Sequence, residues 1–360
     1  MIAIAQHLLR QSWRRVAPAL VVSVFYFGLL IYPLLRMLTL AFPSWQPSTV
    51  ELLVIMVGPL VGRLAYELTP MPATRWLATA SLTWLGGCFI SCSLVLGWEL
   101  LNAILQLPPV ASGRTLLGAS AALFVGGLVN AQLISVRTIR VPTRGLTKPQ
   151  RIAQISDVHI GSRGSGLLKR VVRKVNAQQP DWVAITGDLI DFHNISKTEL
   201  AALTQLQAPA YFVIGNHERY VDLEDICVRL QELGVVVLRN ATNTIQGLQV
   251  VGIDDAESRN QVRSQLNRLP PAANRFRVLL YHRPDGAEDA ARWGAHLMLC
   301  GHTHHGQIVP FNWLVKRVFP RIRGAYRVDE MLLYVSPGTG TWGPTLRLGS
   351  RSEIGIIELQ

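Results

Sequence analysis

CGHTHHGQ, Cys300 to Gln307, carries three histidines in four positions directly after the apolar run HLMLC. A pair of imidazoles at i and i+2 behind a strand-like run leaves a single short turn, so both rings can converge on one point. Imidazole is the commonest metal ligand at neutral pH. The stretch therefore predicts a metal site, provided that the rest of the chain supplies the missing ligands.

Outward from this turn, between Arg151 and the C terminus, short apolar runs alternate with polar, helix-like stretches. The runs are RIAQISD, DWVAITGD, AYFVIGNHE, LQVVGIDD, FRVLLYH, HLMLCGHTH and MLLYVSPG. Their length and Val, Ile and Leu content suit buried strands. GLLKRVVRKVNAQQP and KTELAALTQLQ between the early ones carry helical spacing, and strands alternating with helices predict an α/β fold. Five of the runs end in groups able to coordinate. ISDVH ends in Asp157 and His159, TGDL holds Asp188, and GNHE holds Asn216, His217 and Glu218; LYH ends in His282, and GHTH holds His302 and His304. In open α/β sheets, ligand and catalytic groups collect at the carboxyl ends of strands. Asp, His and Asn suit Mn, Fe or Zn better than Ca or Mg. So many donors exceed one tetrahedral site and suit two ions sharing a carboxylate, since two neighbouring cations require an anion between them. Such a pair, roughly 3.5–4 Å apart, serves phosphoryl chemistry.

The ordered set D-x-H, GD, GNH-E, H and GH-x-H resembles the calcineurin-like metallophosphoesterase family from Arg151 to the C terminus. The resemblance implies a β-sandwich flanked by helices, hydrolysing phosphoester or pyrophosphate bonds with two divalent metals. Carried over position by position, Asp157, His159 and His304 would hold the first metal, Asp188 would bridge, and Asn216, His282 and His302 would hold the second. His217 would stay off the metals as general acid or as donor to the phosphoryl oxygen, a contribution of about 10²–10⁴-fold in the first case. The implied step is in-line attack on phosphorus by hydroxide bridging the ions. YVSPGTG resembles the membrane-associated branch of the family, as does GHTHHGQ, except that His305 stands where glycine is common.

Composition separates the N-terminal part. The chain has 360 residues, enough for two domains, with 49% hydrophobic and 16% charged residues and a mean hydropathy of +0.26. That is too apolar for an ordinary soluble enzyme. VAPALVVSVFYFGLLIYPLL, Val16 to Leu35, is a charge-free run of spanning length, and Val50–Leu68, Trp76–Trp98 and Thr115–Val136 are further candidates. The expected organisation is a transmembrane domain of about four helices over residues 1–136, a basic linker over 137–150 and a catalytic domain over 151–360. Arg10, Arg14 and Arg15 precede the first span, and Arg137, Arg140, Arg144, Lys148 and Arg151 follow the fourth. These basic flanks predict a multi-pass protein of the inner or plasma membrane with its catalytic domain in the cytoplasm. SWRRVAP could alternatively be a twin-arginine export signal, against which the three further spans argue. The four cysteines, Cys88, Cys92, Cys227 and Cys300, form no CxxC pair and suit a reducing compartment.

The net charge of +12 fits anionic lipid or a phosphate-bearing substrate. Nucleic acid is not expected, because much of the excess flanks the spans. WLVKRVFPRIRGAYRV, Trp313 to Val328, interleaves five basic residues with apolar ones; it reads either as a solvated loop or as a segment on the headgroup layer. Glu218 is expected to orient His217 or to cap a helix, and Asp254 and Asp255 are left outside the metal set. His193 and His296 read as structural, and GSRGSG, Gly161 to Gly166, as a loop that is not the dinucleotide fingerprint. The expected function is a membrane-bound two-metal phosphohydrolase acting on a phosphodiester or pyrophosphate bond of a lipid-linked substrate. By resemblance, one candidate is a nucleotide-linked acylated sugar of lipid A biosynthesis. The alternative is a non-catalytic membrane sensor or scaffold that retains the fold.

Overall fold

A computed structural model describes residues 26–143, 146 and 148–360. The chain divides into two compact units, Met1–Gly126 and Gly127–Gln360.

The described part of the first unit is helical: Phe27–Ala41 with a π-helical first turn, Thr49–Leu68, Pro72–Leu105, and Pro109–Asn130, whose last turn belongs to the second unit. Ser48 starts the second of these with a capping box, its hydroxyl accepting from the Glu51 N–H while the Glu51 carboxylate accepts from the Ser48 N–H. Arg36 and Glu99 pair at 2.8 Å between the first and third helices. Pro72–Leu105 and Pro109–Asn130, with mean hydropathies of 1.8 and 1.3, are long and apolar enough to cross a membrane; the shorter, 22 residues, rises about 33 Å. The expected four spans thus become two among the described residues, or three if the pair Thr49–Gly58 and Leu60–Leu68, bent by 54°, counts as one. Residues 16–25 of the first expected span lie outside the described residues, and its remainder enters the shorter helix Phe27–Ala41.

The second unit is built on two six-stranded sheets. The strands are β1 (Ile134–Val141), β2 (Gln150–Ile155), β3 (Trp182–Thr186), β4 (Ala210–Val213), β5 (Val235–Val237), β6 (Ala241–Ile245), β7 (Leu248–Gly252), β8 (Arg277–Leu280), β9 (Leu297–Cys300), β10 (Gly324–Val328), β11 (Met331–Val335) and β12 (Ser352–Leu359). The first sheet has the order β1-β12-β2-β3-β4-β5 and the second β10-β11-β9-β8-β7-β6. β2 to β5 run parallel, as do β7, β8, β9 and β11. Ile152, Trp182, Ala184 and Val213 of the first sheet share one buried cluster with Val250, Val278, Leu280, Leu297 and Leu299 of the second, which makes a sandwich. The alternate residues Val251, Leu279, Met298, Cys300 and Leu333 face the other way, against Val262 and Leu266 of Gln261–Leu266 and Ala287 and Ala290 of Ala287–Trp293. Burial on both faces explains why these strands read as continuous apolar runs.

The expected linker needs correction. The helix before it ends at Asn130, and Ile134–Val141 forms β1, paired in parallel with β12 from Ile134↔Ser352 to Val141↔Leu359. Arg137 and Arg140 are exposed along β1 while Ile139 and Val141 are buried. Arg140 lies on the face opposite Ile139 and Val141, and Arg137 on their face at the exposed sheet edge; a charge-based reading takes such an edge strand for a linker.

Candidate metal centre

Both sheets deliver side chains to one place. Asp157 and His159 follow β2, Asp188 follows β3, and Asn216 and His217 follow β4; His282 follows β8, and His302 and His304 follow β9. Five of these residues take left-handed backbone: Asp157 (φ 54°), His159 (55°), Asp188 (51°), His302 (72°) and His304 (48°). For a residue with a Cβ this costs about 1–3 kcal/mol each. The loops hold one another against that strain, with the Asp157 N–H on Gly187 O (3.0 Å) and the His159 N–H on Asp188 O (3.1 Å). The glycines before the ligands are required by closeness. A Cβ at Gly187 (φ 84°) would lie 2.6 Å from His282 Nδ1, and one at Gly301 would lie 2.2 Å from Asp157 Oδ2.

Three overlapping groups result: Asp157, His159 and His304; His159, Asp188 and His217; Asp188, His282 and His302. His159 Nε2 faces His304 Nε2 at 3.0 Å, and His304 Nε2 stands 3.4 Å from Asp157 Oδ1. His282 Nε2 is 3.1 Å from both His302 Nδ1 and Asp188 Oδ2. Asp188 Oδ2 also lies 4.0 Å from His159 Nε2, which sets this carboxylate between the outer groups. Asn216 Oδ1 is buried without a hydrogen-bond partner.

The donors fit a cation. His282 Nδ1 lies 2.8 Å from Thr186 O, which can only accept, so Nδ1 donates and the neutral ring turns the Nε2 lone pair toward Asp188. A lone pair held 3.1 Å from a carboxylate oxygen requires positive charge between or on them. The titration behaviour says the same. Burial acts to lower His282, but the charge and hydrogen bond of Asp188 outweigh it and hold the ring at about 10. Burial acts to raise Asp188, and the surrounding imidazoles, His282 foremost, keep it well below the carboxylate range. Burial acts to lower His159 as well, but Asp191, Asp188 and Asp157 outweigh it and raise the ring above the usual histidine value; the other three rings stay neutral. Burial lowers His217 to about 4 and, with His282 beside it, His302 to about 3, while His304 falls well below the usual histidine range.

A second layer orients the first. Asp191 Oδ2 stands 3.5 Å behind His159 Nδ1, a carboxylate–histidine arrangement typical of metal ligands. Both Asp157 oxygens accept from the His302 N–H (3.0 and 3.2 Å), and Asp188 Oδ1 accepts from the His217 N–H (2.9 Å). Of its two expected roles, Glu218 takes the helix cap, at the start of Asn216–Tyr220, and not the orientation of the His217 ring. Its carboxylate accepts from the N–H groups of Gly215 (2.8 Å), Asp188 (3.0 Å) and Ile190 (3.0 Å), tying the ends of β3 and β4 together. Arg347 is fully buried, and its guanidinium donates to carbonyls rather than to a carboxylate: Pro337 O and Gly340 O (2.7 Å each) and His304 O (3.3 Å). Neither Asp191 nor Arg347 was singled out in the sequence. Asp191 had a signal, as the second aspartate of GDLID, whereas Arg347 is a lone arginine in a glycine-rich tail.

Gln307 completes the opening motif. Its amide donates to Trp342 O and Pro344 O (2.9 Å each) and accepts from the Trp342 N–H (2.8 Å). This fixes the Trp342 ring 6.4 Å from that of half-buried His217, with Tyr220 at 6.0 Å. His305 takes φ 54°, which accounts for the glycine that the resemblance places there. Asp255 is held by Arg219 (2.8 Å) and Arg283 (2.6 Å), and Asp254 by Arg239 (2.7 Å). His193 pairs with Asp222, and His296 Nδ1 accepts from the Arg277 N–H. In GSRGSG, Arg163 is buried and donates to Ala131 O and Gln132 Oε1.

The family model for calcineurin-like phosphoesterase matches residues 150–306. A transmembrane protein with metallophosphoesterase domain from Danio rerio is 34% identical over 327 residues, covering 79% of this chain and 74% of its own length. The protein of the same description from Bos taurus is 35% identical over 271 residues, 67% of this chain and 61% of its own. A metallophosphoesterase of Campylobacter jejuni is 32% identical over 235 residues, 62% of this chain and 63% of its own. The chain therefore spans under two thirds of the last two relatives. It belongs to the calcineurin-like phosphoesterase family, with the mixed α/β sheets of that fold preceded by helices, two of which are candidate membrane spans.

Proposed function

We propose that the protein is a membrane-bound two-metal phosphohydrolase that cleaves a phosphodiester or pyrophosphate bond in a lipid-linked molecule, on the cytoplasmic side. The observation that carries the reading is the buried convergence of imidazole lone pairs on Asp188, with Asn216 Oδ1 unpartnered beside them. Asp157, His159 and His304 would hold one ion and Asn216, His282 and His302 the other, with Asp188 between. The N and O donors suit Mn, Fe or Zn. Bound there, the ions supply Lewis acidity and lower the pKa of water. The protein's own part is positional: Thr186 O fixes the tautomer of His282, Asp191 stands 3.5 Å behind His159 Nδ1, and Glu218 locks the loops that present Asp188 and Asn216. His217, only half-buried, would donate to a phosphoryl or leaving oxygen. The helices and the basic flanks favour a membrane-associated substrate over a soluble one.

The test is hydrolysis of a chromogenic phosphodiester and the matching monoester by detergent-purified protein with Mn²⁺, with Asp188→Ala in parallel. Diester cleavage lost in the variant is the expected result. Wild-type protein that binds about two ions per chain yet cleaves neither compound, nor any lipid-linked pyrophosphate, would shift the reading to the scaffold.

A further inference from the structure

The segment Trp313–Val328 divides into parts with different partners. Arg321 pairs with Glu288 (2.7 Å), Arg323 with Glu353 (3.1 Å) and Arg327 with Glu330 (2.7 Å), and Gly324–Val328 is β10, paired with β11. These three arginines are therefore taken up by the protein's own carboxylates. The helix before them, Phe311–Val318, buries none of its residues. At 100° per residue, Asn312 and Val315 face the body of the unit, and a Cβ on Gly306 would lie only 2.3 Å from Asn312 Cα. Trp313, Leu314, Arg317 and Val318 share the outer side, with Trp313 71%, Leu314 61% and Val318 70% exposed. Among the described residues, Lys316 and Arg317 have no carboxylate within ion-pair distance.

We propose that helix Phe311–Val318 docks on the membrane surface, with Trp313, Leu314 and Val318 at the boundary between headgroups and acyl chains, Arg317 on anionic headgroups, and exposed Lys316 reaching them from the flank of the helix. Indole rings favour that boundary, and a short helix with apolar and basic residues and no acidic ones suits it. Two features favour a bilayer over a protein partner. The unpaired charge is all positive, complementary to anionic lipid. The same chain carries helices able to cross a membrane, so a lipid surface is always within reach. The helix is also fastened to the metal-bearing turn: the Phe319 ring stacks edge-on to His302 at 5.1 Å, and Thr303 Oγ1 donates to Ile322 O (2.7 Å). Docking would set His302 and His304 beside the headgroups, where a phosphate carried by a membrane-resident molecule is found. That last step rests on the phosphohydrolase reading, whereas the docking does not.

The experiment uses the full chain reconstituted in phosphatidylcholine vesicles containing phosphatidylglycerol. Leu314→Cys is labelled with an environment-sensitive fluorophore; the four native cysteines are buried, and unlabelled wild type supplies the background. Docking predicts a blue-shifted label quenched by shallow spin-labelled lipid, while the same label at Glu330→Cys, on the turn after β10, remains in water. A label at 314 as wet as that at 330 overturns the proposal. A label shielded from water but untouched by the lipid quencher also overturns it, in favour of a protein partner or a second copy. In a second arm, the double variant Lys316→Glu, Arg317→Glu should lose roughly ten-fold on a vesicle-embedded phosphodiester and nothing on a soluble one; equal rates on the embedded diester overturn the link to substrate. Wild type inactive on both compounds breaks the phosphohydrolase reading, and the quenching result still decides the docking.

Discussion

The two sheets meet at one site with unequal chemistry. Loops after β2, β3 and β4 bring both carboxylates, the imidazoles of His159 and His217 and the amide of Asn216; loops after β8 and β9 bring imidazoles alone. The first sheet also carries the supports Asp191 and Glu218, while the second relies on the backbone carbonyl of Thr186 and on carbonyls gathered by Arg347. Charge neutralisation therefore sits on one side of the sandwich and directional lone pairs on the other. Losses on the two sides should differ in kind.

The largest effect is expected from Asp188→Ala, which removes the carboxylate placed between the outer groups. Both ions and all measurable hydrolysis should disappear together in metal analysis and assay. His302→Ala should instead remove one of about two ions per chain and leave Asp157, His159 and His304 binding the other. If it strips both ions, the division of labour between the sheets is wrong. Asp191→Asn should weaken metal affinity about 10- to 100-fold, as loss of a partner behind a metal-bound histidine does. Competition with a graded chelator measures this, and an unchanged affinity would dismiss Asp191 as a support. The mildest effect concerns stability of the metal-free protein. Burial, then Asp188, raise Glu218 from 4.5 to about 7, so between those values the folded chain binds more protons than the unfolded one. This contribution is full below about 4.5 and is lost as pH rises to about 7. Glu218→Gln cannot ionise and should flatten that slope in denaturant titrations; a slope as steep as before would assign it to another group.

Seven strands, β2, β3, β4, β7, β8, β9 and β11, were legible in the sequence because both of their faces are buried and they read as unbroken apolar runs. β6 and β10 were not, because on an edge only alternate residues are covered, as in the pattern of Ala241–Ile245. β1 was hidden by the exposed arginines Arg137 and Arg140 along this edge strand, and β12, though buried, carries Gly355 mid-strand beneath the Tyr334 ring. The positions of the clustered side chains were legible from strand ends and from the glycines before them. Arg347 was not, since its role lies in carbonyls that only the fold assembles. The bend in Thr49–Leu68 was equally invisible to a count of apolar residues.

The place of β12 has a consequence for biosynthesis. β12 lies between β1 and β2 and is hydrogen-bonded to both, yet Ser352 is made long after Val141. While a ribosome is still translating the intervening loops, β1 and β2 expose unpaired backbone edges to each other and to neighbouring chains. Such edges are where nascent chains mispair. The first sheet can be completed only when the stretch to Leu359 has cleared the exit tunnel, so β1 and β2 wait unjoined while all the strands between them and β12 are made.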